Sequence, residues 1–302
     1  MKQSLTYYLT LLVIKFKGIK KNFSNIPIDY KKIRKEDVHY PCYKFSKQNQ
    51  LKTFKVSETL ITEIGLNKNS DKLLVFIHGG AFISGPAQHH WDTAKEIAKK
   101  TNYIIWMCDY PKAPENKITT ITKNIDSIYH TALKQYSPNK ISFIGDSAGG
   151  TLITCLMQRL VIKNNKLPNK IILISPVMDA SMSNPEIEKI NAKDPMLSIK
   201  GVVSAKKMCV DNEDLKNEII SPIYGNFKNF PKTVLCIAEN DITYPDQKLT
   251  IQKMKAANID LLVIEGKNMP HIWPLLPVMK EAKTSLKNII DIINNNDNDY
   301  LN

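Results

Sequence analysis

A serine between two glycines is the arrangement in this sequence with the clearest chemical potential. The letters Gly-Asp-Ser-Ala-Gly-Gly occupy positions 145–150, with the serine at Ser147. Residues 140–144 predict a buried strand before this motif, and residues 151–161 predict a helix after it. A Gly-x-Ser-x-Gly turn between a strand and a helix holds the serine hydroxyl exposed as a nucleophile. A plain glycine turn matches the same letters, and the flanking strand and helix are what favour catalysis.

A serine hydroxyl needs a base to remove its proton and a third group to fix the tautomer of that base. Enzymes that use this turn carry their triad in the chain order serine, acid, histidine. Among the six histidines, only His271 follows Ser147. It comes just after the last predicted strand, at 261–264, so the sequence predicts His271 as the base.

The acid of such a triad must lie between the serine and the histidine. Asp241 follows the predicted strand 233–238, at the edge of a parallel sheet where such sites form. We therefore expect Asp241 to be the acid, with Asp246 and Glu239 as alternatives. Asp246 precedes a predicted helix and is well placed to be its N-cap. The acidic residues within 211–214 are expected to be solvated.

A predicted edge hairpin at 51–66 and a predicted strand at 72–77 precede a second glycine pair. The letters His-Gly-Gly-Ala-Phe stand at 78–82. Adjacent glycines at a strand end allow backbone N–H groups to turn outward, as an oxyanion hole requires. An ordinary glycine turn is the alternative, and the serine motif further along the chain favours the oxyanion hole.

Strand-like and helical segments alternate along most of the chain. This alternation predicts βαβ units, and therefore one α/β domain spanning 1–302 with a mostly parallel central sheet flanked by helices. About 55 residues separate the predicted strands at 170–175 and 233–238, which is more than one crossover helix requires. We expect 178–228, together with about 1–50, to form a helical cap over the carboxyl ends of the strands.

The charge composition bears on possible partners. Lys and Arg number 42 against 29 Asp and Glu, for a formal net charge of +13. Only Arg34 and Arg159 are arginines, which leaves 42 − 2 = 40 lysines. Proteins that read nucleic acids rely on arginine for bidentate contacts, so this composition argues against nucleic-acid binding. Weak attraction to anionic membrane surfaces is more compatible with it.

The five cysteines are scattered, and no Cys/His spacing resembles a metal site. We therefore expect no metal and no cofactor, and free thiols in a reducing, cytoplasmic compartment.

The N-terminal segment is apolar at 5–14 and then carries four lysines within 15–21. It is too short to span a bilayer, and its charges lie on the wrong side for a signal peptide. We expect an amphipathic helix docked on the domain, with a membrane-peripheral position as the alternative.

Together these motifs resemble the α/β-hydrolase fold-3 esterases, the branch similar to hormone-sensitive lipase. Positions 78–81 resemble its His-Gly-Gly-Gly signature with alanine in the last place, and 145–150 match its serine motif in full. Asp-Tyr-Pro-Lys-Ala-Pro-Glu at 109–115 is similar to its Asp-Tyr-Arg-Leu-Ala-Pro-Glu segment. Glu-Asn-Asp-Ile at 239–242 resembles its acid motif, which usually reads Asp-Pro-Leu.

The resemblance implies a carboxylic-ester hydrolase that uses no metal or cofactor and acts on short acyl esters such as acetates. Ser147 would attack the acyl carbonyl, His271 would act as base and then as acid, and Asp241 would orient His271. The oxyanion would be held by three backbone N–H groups, those of Gly80, Ala81 and Ala148. The motifs also contain three residues that would support this site, which are His78, Gly79 and Asp146. Of these, His78 would brace the glycine-rich loop.

Two other classes of function remain alternatives. One is a small-molecule binding protein on the same fold, of the kind that loses the catalytic histidine, whereas this chain retains His271. The other is a membrane-surface protein recruited by its N-terminal helix. Met269 and Trp273, which flank His271, either line the acyl or alcohol pocket or pack in the core. The sequence does not indicate an oligomeric state.

Overall fold

One sheet of eight strands forms the centre of the molecule in the computed structural model, which describes residues 2–41, 51–65, 70–211 and 214–295. The central strands are rich in apolar residues, with many isoleucines, and they are buried along their whole length. In chain order the strands are β1 (Leu51–Val56), β2 (Thr59–Ile64), β3 (Leu73–Ile77), β4 (Ile104–Asp109), β5 (Ile141–Asp146), β6 (Lys170–Ile174), β7 (Lys232–Ala238) and β8 (Leu261–Gly266).

The strand order in the sheet is β1-β2-β4-β3-β5-β6-β7-β8. The strands β3 to β8 are parallel, and β1 and β2 form an antiparallel hairpin at one edge. In the register of the sheet, Ile77 lies opposite Gly145, and Asp146 lies opposite Ile174. Because parallel strands end at the same edge, the segments that follow β3, β5, β6 and β7 converge there.

Helices cover both faces of the sheet. Val75 and Ile77 of β3 belong to the core cluster on one face, and Leu74 and Phe76 belong to the cluster on the other. Both faces are therefore buried, which explains why the strands are continuously apolar. In chain order the helices are α1 (Leu5–Phe16), α2 (Ile19–Asn22), α3 (Tyr30–Ile33), α4 (Gln88–Lys100), α5 (Ile118–Ala132), α6 (Ala148–Ile162), α7 (Glu186–Asn191), α8 (Ile199–Cys209), α9 (Tyr244–Ala256) and α10 (Lys280–Asn294).

The predicted mostly parallel sheet flanked by helices is confirmed, and each predicted strand lies within two residues of an observed one. The helix α10 was not predicted. It packs with Ile289 and Ile293 against the same face of the sheet as Trp91 and Ile97 of α4. Its apolar residues at 282, 286, 289 and 293 recur at helical spacing, so the sequence carried a signal that the prediction missed.

The N-terminal segment packs against the segment between β6 and β7. The Ser198 hydroxyl donates to the Phe23 carbonyl at 2.8 Å, and the Lys20 ammonium donates to the Asp194 carbonyl at 2.7 Å. These are contacts between the two segments that the sequence assigned to a cap. Residue 1, residues 42–50 and residues 212–213 of that assignment lie outside the described residues, and the boundaries of the cap stay a prediction.

The helix α1 is docked on the domain. Its Tyr7 hydroxyl donates to the Asn268 carbonyl at 2.8 Å, and the Ser4 N–H before it donates to the Glu281 carboxylate at 2.7 Å. Docking was the interpretation that the sequence favoured. Within the described ranges, no helix combines the length and apolar character needed to cross a membrane.

The two presumed cap segments are tightly packed at Gly201 in α8. A Cβ atom there would lie 1.4 Å from the Phe23 carbonyl oxygen, so Gly201→Ala must separate the segments. We expect this variant to lower the free energy of unfolding by about 2 kcal/mol. The matched control is Gly65→Ala, whose new Cβ would lie 3.7 Å from the nearest atom, an ordinary contact. Urea denaturation of both variants tests this, and equal stability would contradict the packing described.

Candidate active site

Ser147 lies in a strained turn between β5 and α6. Its backbone has φ 49° and ψ −120°, a conformation that a residue with a side chain rarely adopts. The turn depends on Gly149, where a Cβ atom would lie 1.9 Å from the carbonyl oxygen of Ile77. The Ser147 N–H donates to the Ile174 carbonyl at 2.8 Å, which fixes the turn against β6. The predicted serine turn is therefore present, with the helix beginning directly after the serine.

His271 and Asp241 form a buried pair. Nδ1 of His271 lies 2.7 Å from Oδ2 of Asp241, and the two residues are 3% and 0% exposed. The other carboxylate oxygen, Oδ1, accepts from the Thr243 N–H at 2.9 Å. With its proton on Nδ1, the imidazole presents an unprotonated Nε2, the form that a general base needs.

The two alternative acids have other partners. Oε2 of Glu239 accepts from the Asn268 N–H at 2.8 Å, and Oδ1 of Asp246 accepts from the Asn184 side-chain amide at 2.8 Å. Asp246 is buried, and that burial raises the pKa of its carboxyl to about 6. The sequence suggested that Asp246 is an N-cap, and this was wrong. The N-cap of α9 is Thr243, which makes Asp246 the third residue of the helix.

Two opposed effects set the pKa of His271. Burial lowers it, but the Asp241 carboxylate and its hydrogen bond outweigh burial and hold the pKa of His271 above its usual value. The charge of Asp194 acts in the same direction. The imidazolium that forms when His271 takes a proton is therefore stabilised.

The loop that carries His271 lies beside the serine turn. Ser175 directly follows β6, whose last residue, Ile174, accepts the Ser147 N–H. The Ser175 hydroxyl in turn accepts from the N–H of Ile272 at 3.1 Å. Ser147 and His271 are thus each tied to the end of the same strand, which brings them to one edge of the sheet.

The glycine-rich loop after β3 has an unusual backbone. Three consecutive residues, Gly80, Ala81 and Phe82, have φ values of 115°, 55° and 68°. Within the described residues, the backbone N–H groups of Gly80, Ala81 and Ala148 donate no hydrogen bond to another residue. Since protein interiors satisfy nearly all such donors, three free N–H groups near one serine are suited to an oxyanion.

The carboxylate of Asp146 joins this loop to the serine turn. Its Oδ1 accepts from the Gly79 N–H at 2.9 Å and lies 3.1 Å from Nε2 of His90. Burial raises the pKa of Asp146, but the interaction with His90 and the hydrogen bonds from His90 and the Gly79 N–H outweigh burial, so its pKa is lowered. Asp146 therefore stays ionised and holds the two loops together.

His78, which the resemblance implied to brace the loop, is packed against Tyr110. Its ring stacks on Tyr110 with the centroids 4.4 Å apart, and the Tyr110 hydroxyl donates to the His78 carbonyl at 2.9 Å. Burial, with the charge of Lys112, holds the pKa of His78 well below its usual value. The ring is therefore neutral.

A cluster of His89, His90 and Asp146 has the composition of a metal site, with its ligand atoms within 4.8 Å of one another. The tautomer of His90 argues against that use. Its Nδ1 accepts from the Ala87 N–H at 2.8 Å, so its proton sits on Nε2 and faces Asp146. The nitrogen that points into the cluster then has no lone pair for a metal.

Asp194 is a site residue that the sequence analysis missed. It lies between α7 and α8 and is 1% exposed. Oδ2 accepts from the Ile242 N–H at 2.9 Å, and Oδ1 accepts from the N–H groups of Met196 and Leu197. Burial and then the charge of Asp241 raise the pKa of Asp194 to about 6. The sequence signal for a buried aspartate was the Pro-Met-Leu that follows Asp194. Asp211, by contrast, is exposed to solvent.

Met269 and Trp273 lie beneath α1. Both are buried in a cluster with Tyr7 and Met279, and the Trp273 indole N–H donates to the Ile237 carbonyl at 3.3 Å. These contacts assign both residues to packing, the second of the two roles that the sequence allowed.

The comparisons with known proteins agree with this geometry. The family described as alpha/beta hydrolase fold matches residues 74–275, more than half of the chain. An esterase from Acinetobacter venetianus is 26% identical over 70% of this chain and 70% of its own length. An acetyl-hydrolase from Streptomyces hygroscopicus is 21% identical over 71% of this chain and 74% of its own length.

A solved structure of an esterase from the bacterial hormone-sensitive lipase family superposes with a TM-score of 0.84. It is 20% identical and covers 97% of this chain and 99% of its own chain, which establishes likeness of fold. With the motifs at 78–82 and 145–150 in place, the chain belongs to the α/β-hydrolase fold family, in the esterase branch similar to hormone-sensitive lipase, and it is a carboxylic-ester hydrolase.

Proposed function

We propose that this hydrolase cleaves short acyl esters through an acyl-enzyme on Ser147. The observation that carries the proposal is the buried His271–Asp241 pair, joined at 2.7 Å on the sheet edge where the strained serine turn lies. The name of the Streptomyces relative, an acetyl-hydrolase, supports a short acyl group.

In the first half of the proposed reaction, Ser147 Oγ attacks the ester carbonyl carbon while Nε2 of His271 takes the hydroxyl proton. Asp241 holds the resulting imidazolium in place through Nδ1. The carbonyl oxygen becomes an oxyanion that accepts from the N–H groups of Gly80, Ala81 and Ala148. His271 then gives its proton to the departing alkoxide, which leaves as an alcohol, and the acyl group remains on Ser147.

In the second half, water attacks the acyl carbon and gives a proton to His271. The same N–H groups hold the second oxyanion. Collapse of this intermediate returns the proton to Ser147 Oγ and releases the carboxylic acid. Each proton taken by His271 is returned, so the cycle ends with the enzyme unchanged and needs no other reactant.

We propose Asp194 as a positioning residue for this triad. It accepts from the N–H of Ile242, the residue next to Asp241, and so fixes the turn that carries the acid. Its carbonyl accepts from the ammonium of Lys20 in the N-terminal segment. Asp194 thus connects both presumed cap segments to the acid turn, and its charge helps to raise the pKa of His271.

The principal alternative is a small-molecule binding protein on this fold. Such a protein has no need for a histidine that is held by a buried carboxylate. The retained contact between His271 and Asp241 therefore favours turnover over binding alone.

The first prediction is hydrolysis of p-nitrophenyl acetate and butyrate without added metal. Ser147→Ala should lower kcat by about 10⁶-fold, because no other group takes over the role of the nucleophile. A fluorophosphonate should label the wild-type protein and leave this variant unlabelled. Tight ester binding without turnover would favour the binding protein, and activity lost to a chelator and restored by zinc would rule out the proposed mechanism.

The second prediction distinguishes the acids by two matched substitutions. Asp241→Asn should lower kcat by about 10⁴-fold, because the amide favours the wrong imidazole tautomer. Wild-type kcat/KM should fall with acid at a midpoint above the usual imidazole value of about 6.5, since the pKa of His271 is raised, and in Asp241→Asn that midpoint should be lower. Measuring the pH profiles of both variants tests the assignment.

The matched variant, Asp246→Asn, should turn over normally. The pKa of Asp246 in the folded state is raised to about 6, so its contribution to stability is largest in acid and is lost as the pH rises from about 4 to 6. In the variant, the free energy of unfolding should therefore no longer show this fall between about pH 4 and 6. If Asp246→Asn is inactive and Asp241→Asn is active, the wrong aspartate has been assigned.

The third prediction concerns Asp194. Asp194→Asn should lower kcat/KM by about tenfold or more, because the acid turn is displaced, and should also lower the pH midpoint of the acid limb, because a charge near His271 is lost. The control is Asp179→Asn, a buried carboxylate that accepts from Ser181 and Tyr224. If Asp194 has a purely structural role, Asp194→Asn should behave like the control. Both variants would then have a lower melting temperature, and the midpoint of the acid limb of kcat/KM would be unchanged in both.

A further inference from the structure

The helix α1 turns a row of large apolar side chains toward solvent. Leu5 and Phe16 are 83% and 82% exposed, and four more residues on the same face are about half exposed. Their spacing of three and four residues places all six on one face of the helix. The six, called here the α1 stripe, are Leu5, Tyr8, Leu9, Leu12, Val13 and Phe16.

The docked face of α1 is the smaller apolar face. Only Tyr7 and Ile14 are buried, and Leu11 is partly buried against the domain. A surface helix of a globular protein normally turns its wider apolar face toward the core. The α1 stripe also holds six of the thirteen large apolar residues that are exposed in the described part of the chain. This concentration marks the stripe as an interaction surface.

The surroundings of the α1 stripe are cationic. The helix itself contains no acidic residue, and Lys15 and Lys17 at its carboxyl-terminal end are exposed, as is Lys21 in α2. At its other end, the exposed Lys280 donates its backbone N–H to Thr6 of α1. The nearby Glu281 carboxylate is engaged by the N–H and hydroxyl of Ser4.

We propose that the α1 stripe binds the surface of an anionic lipid bilayer. An apolar face flanked by lysines fits the boundary between acyl chains and negatively charged headgroups. A second copy of this chain fits less well, because pairing two stripes would bring two sets of lysines together. The surface adjoins the catalytic loop, since Tyr7 of α1 bonds to Asn268, three residues before His271.

The test is co-sedimentation of the full chain with vesicles, which does not depend on turnover. We expect binding to vesicles of phosphatidylglycerol and phosphatidylcholine, and little binding to phosphatidylcholine alone. Leu9→Gln with Leu12→Gln should weaken binding by about tenfold or more, with helix propensity nearly unchanged. The matched control joins Ile162→Gln and Leu249→Gln, which are 64% and 42% exposed on other helices. It should bind as the wild type does.

A second arm tests the charges. Lys15→Gln, Lys17→Gln and Lys21→Gln should each weaken binding to anionic vesicles by about fivefold, and added salt should weaken wild-type binding. Ser147→Ala should bind like the wild type, so this result is separate from that of the proposed hydrolysis. If the Leu9 and Leu12 variant melts early, Phe16→Gln at the end of the helix replaces it.

Three outcomes would overturn the proposal. If the wild-type protein does not sediment with anionic vesicles, the α1 stripe does not bind an anionic bilayer. Equal losses in the stripe variant and the Ile162 and Leu249 control would show that the location of the apolar residues is irrelevant. A wild-type dimer that becomes a monomer in the stripe variant, measured by analytical ultracentrifugation, would identify a second copy of the chain as the occupant.

Discussion

The buried carboxylate of Asp146 is the interaction on which the geometry of the site depends. It accepts from the Gly79 N–H of one loop and faces the protonated Nε2 of His90, while its own backbone ends β5 directly before the serine. A buried charge is costly unless it is paired, and this one is paired on both sides. The glycine-rich loop is therefore held next to the serine turn.

The parallel sheet makes this arrangement possible. Strands β3, β5, β6 and β7 end at one edge, and each supplies one component there: the glycine-rich loop, Ser147, Ser175 and Asp241. The hydrogen bond from Ile272 to Ser175 adds the histidine loop. Residues separated by nearly two hundred positions thus become neighbours through main-chain geometry, and only the acid and the base need a side-chain contact to complete the constellation.

The segments outside the sheet contact this edge as well. Asp194 joins the segment between β6 and β7 to the acid turn, and Lys20 joins the N-terminal segment to the carbonyl of Asp194. Tyr7 contacts the loop that carries His271. Changes in the packing of either segment can therefore reach the proposed triad over short paths, and a surface that binds α1 would lie next to the loop that carries His271.

The sequence by itself determined the fold class, and it named Ser147, His271 and Asp241 as the candidates for nucleophile, base and acid. It could do so because a strand, a turn and a helix are local features, and because only one histidine follows Ser147. The tertiary structure decided which carboxylate meets His271, since Asp241 and Asp246 differ by five positions and their partners lie far away in the chain. It also revealed Asp194 and the outward apolar face of α1. Periodicity shows that a helix has an apolar face, but only long-range packing determines whether that face is turned toward the core or the solvent.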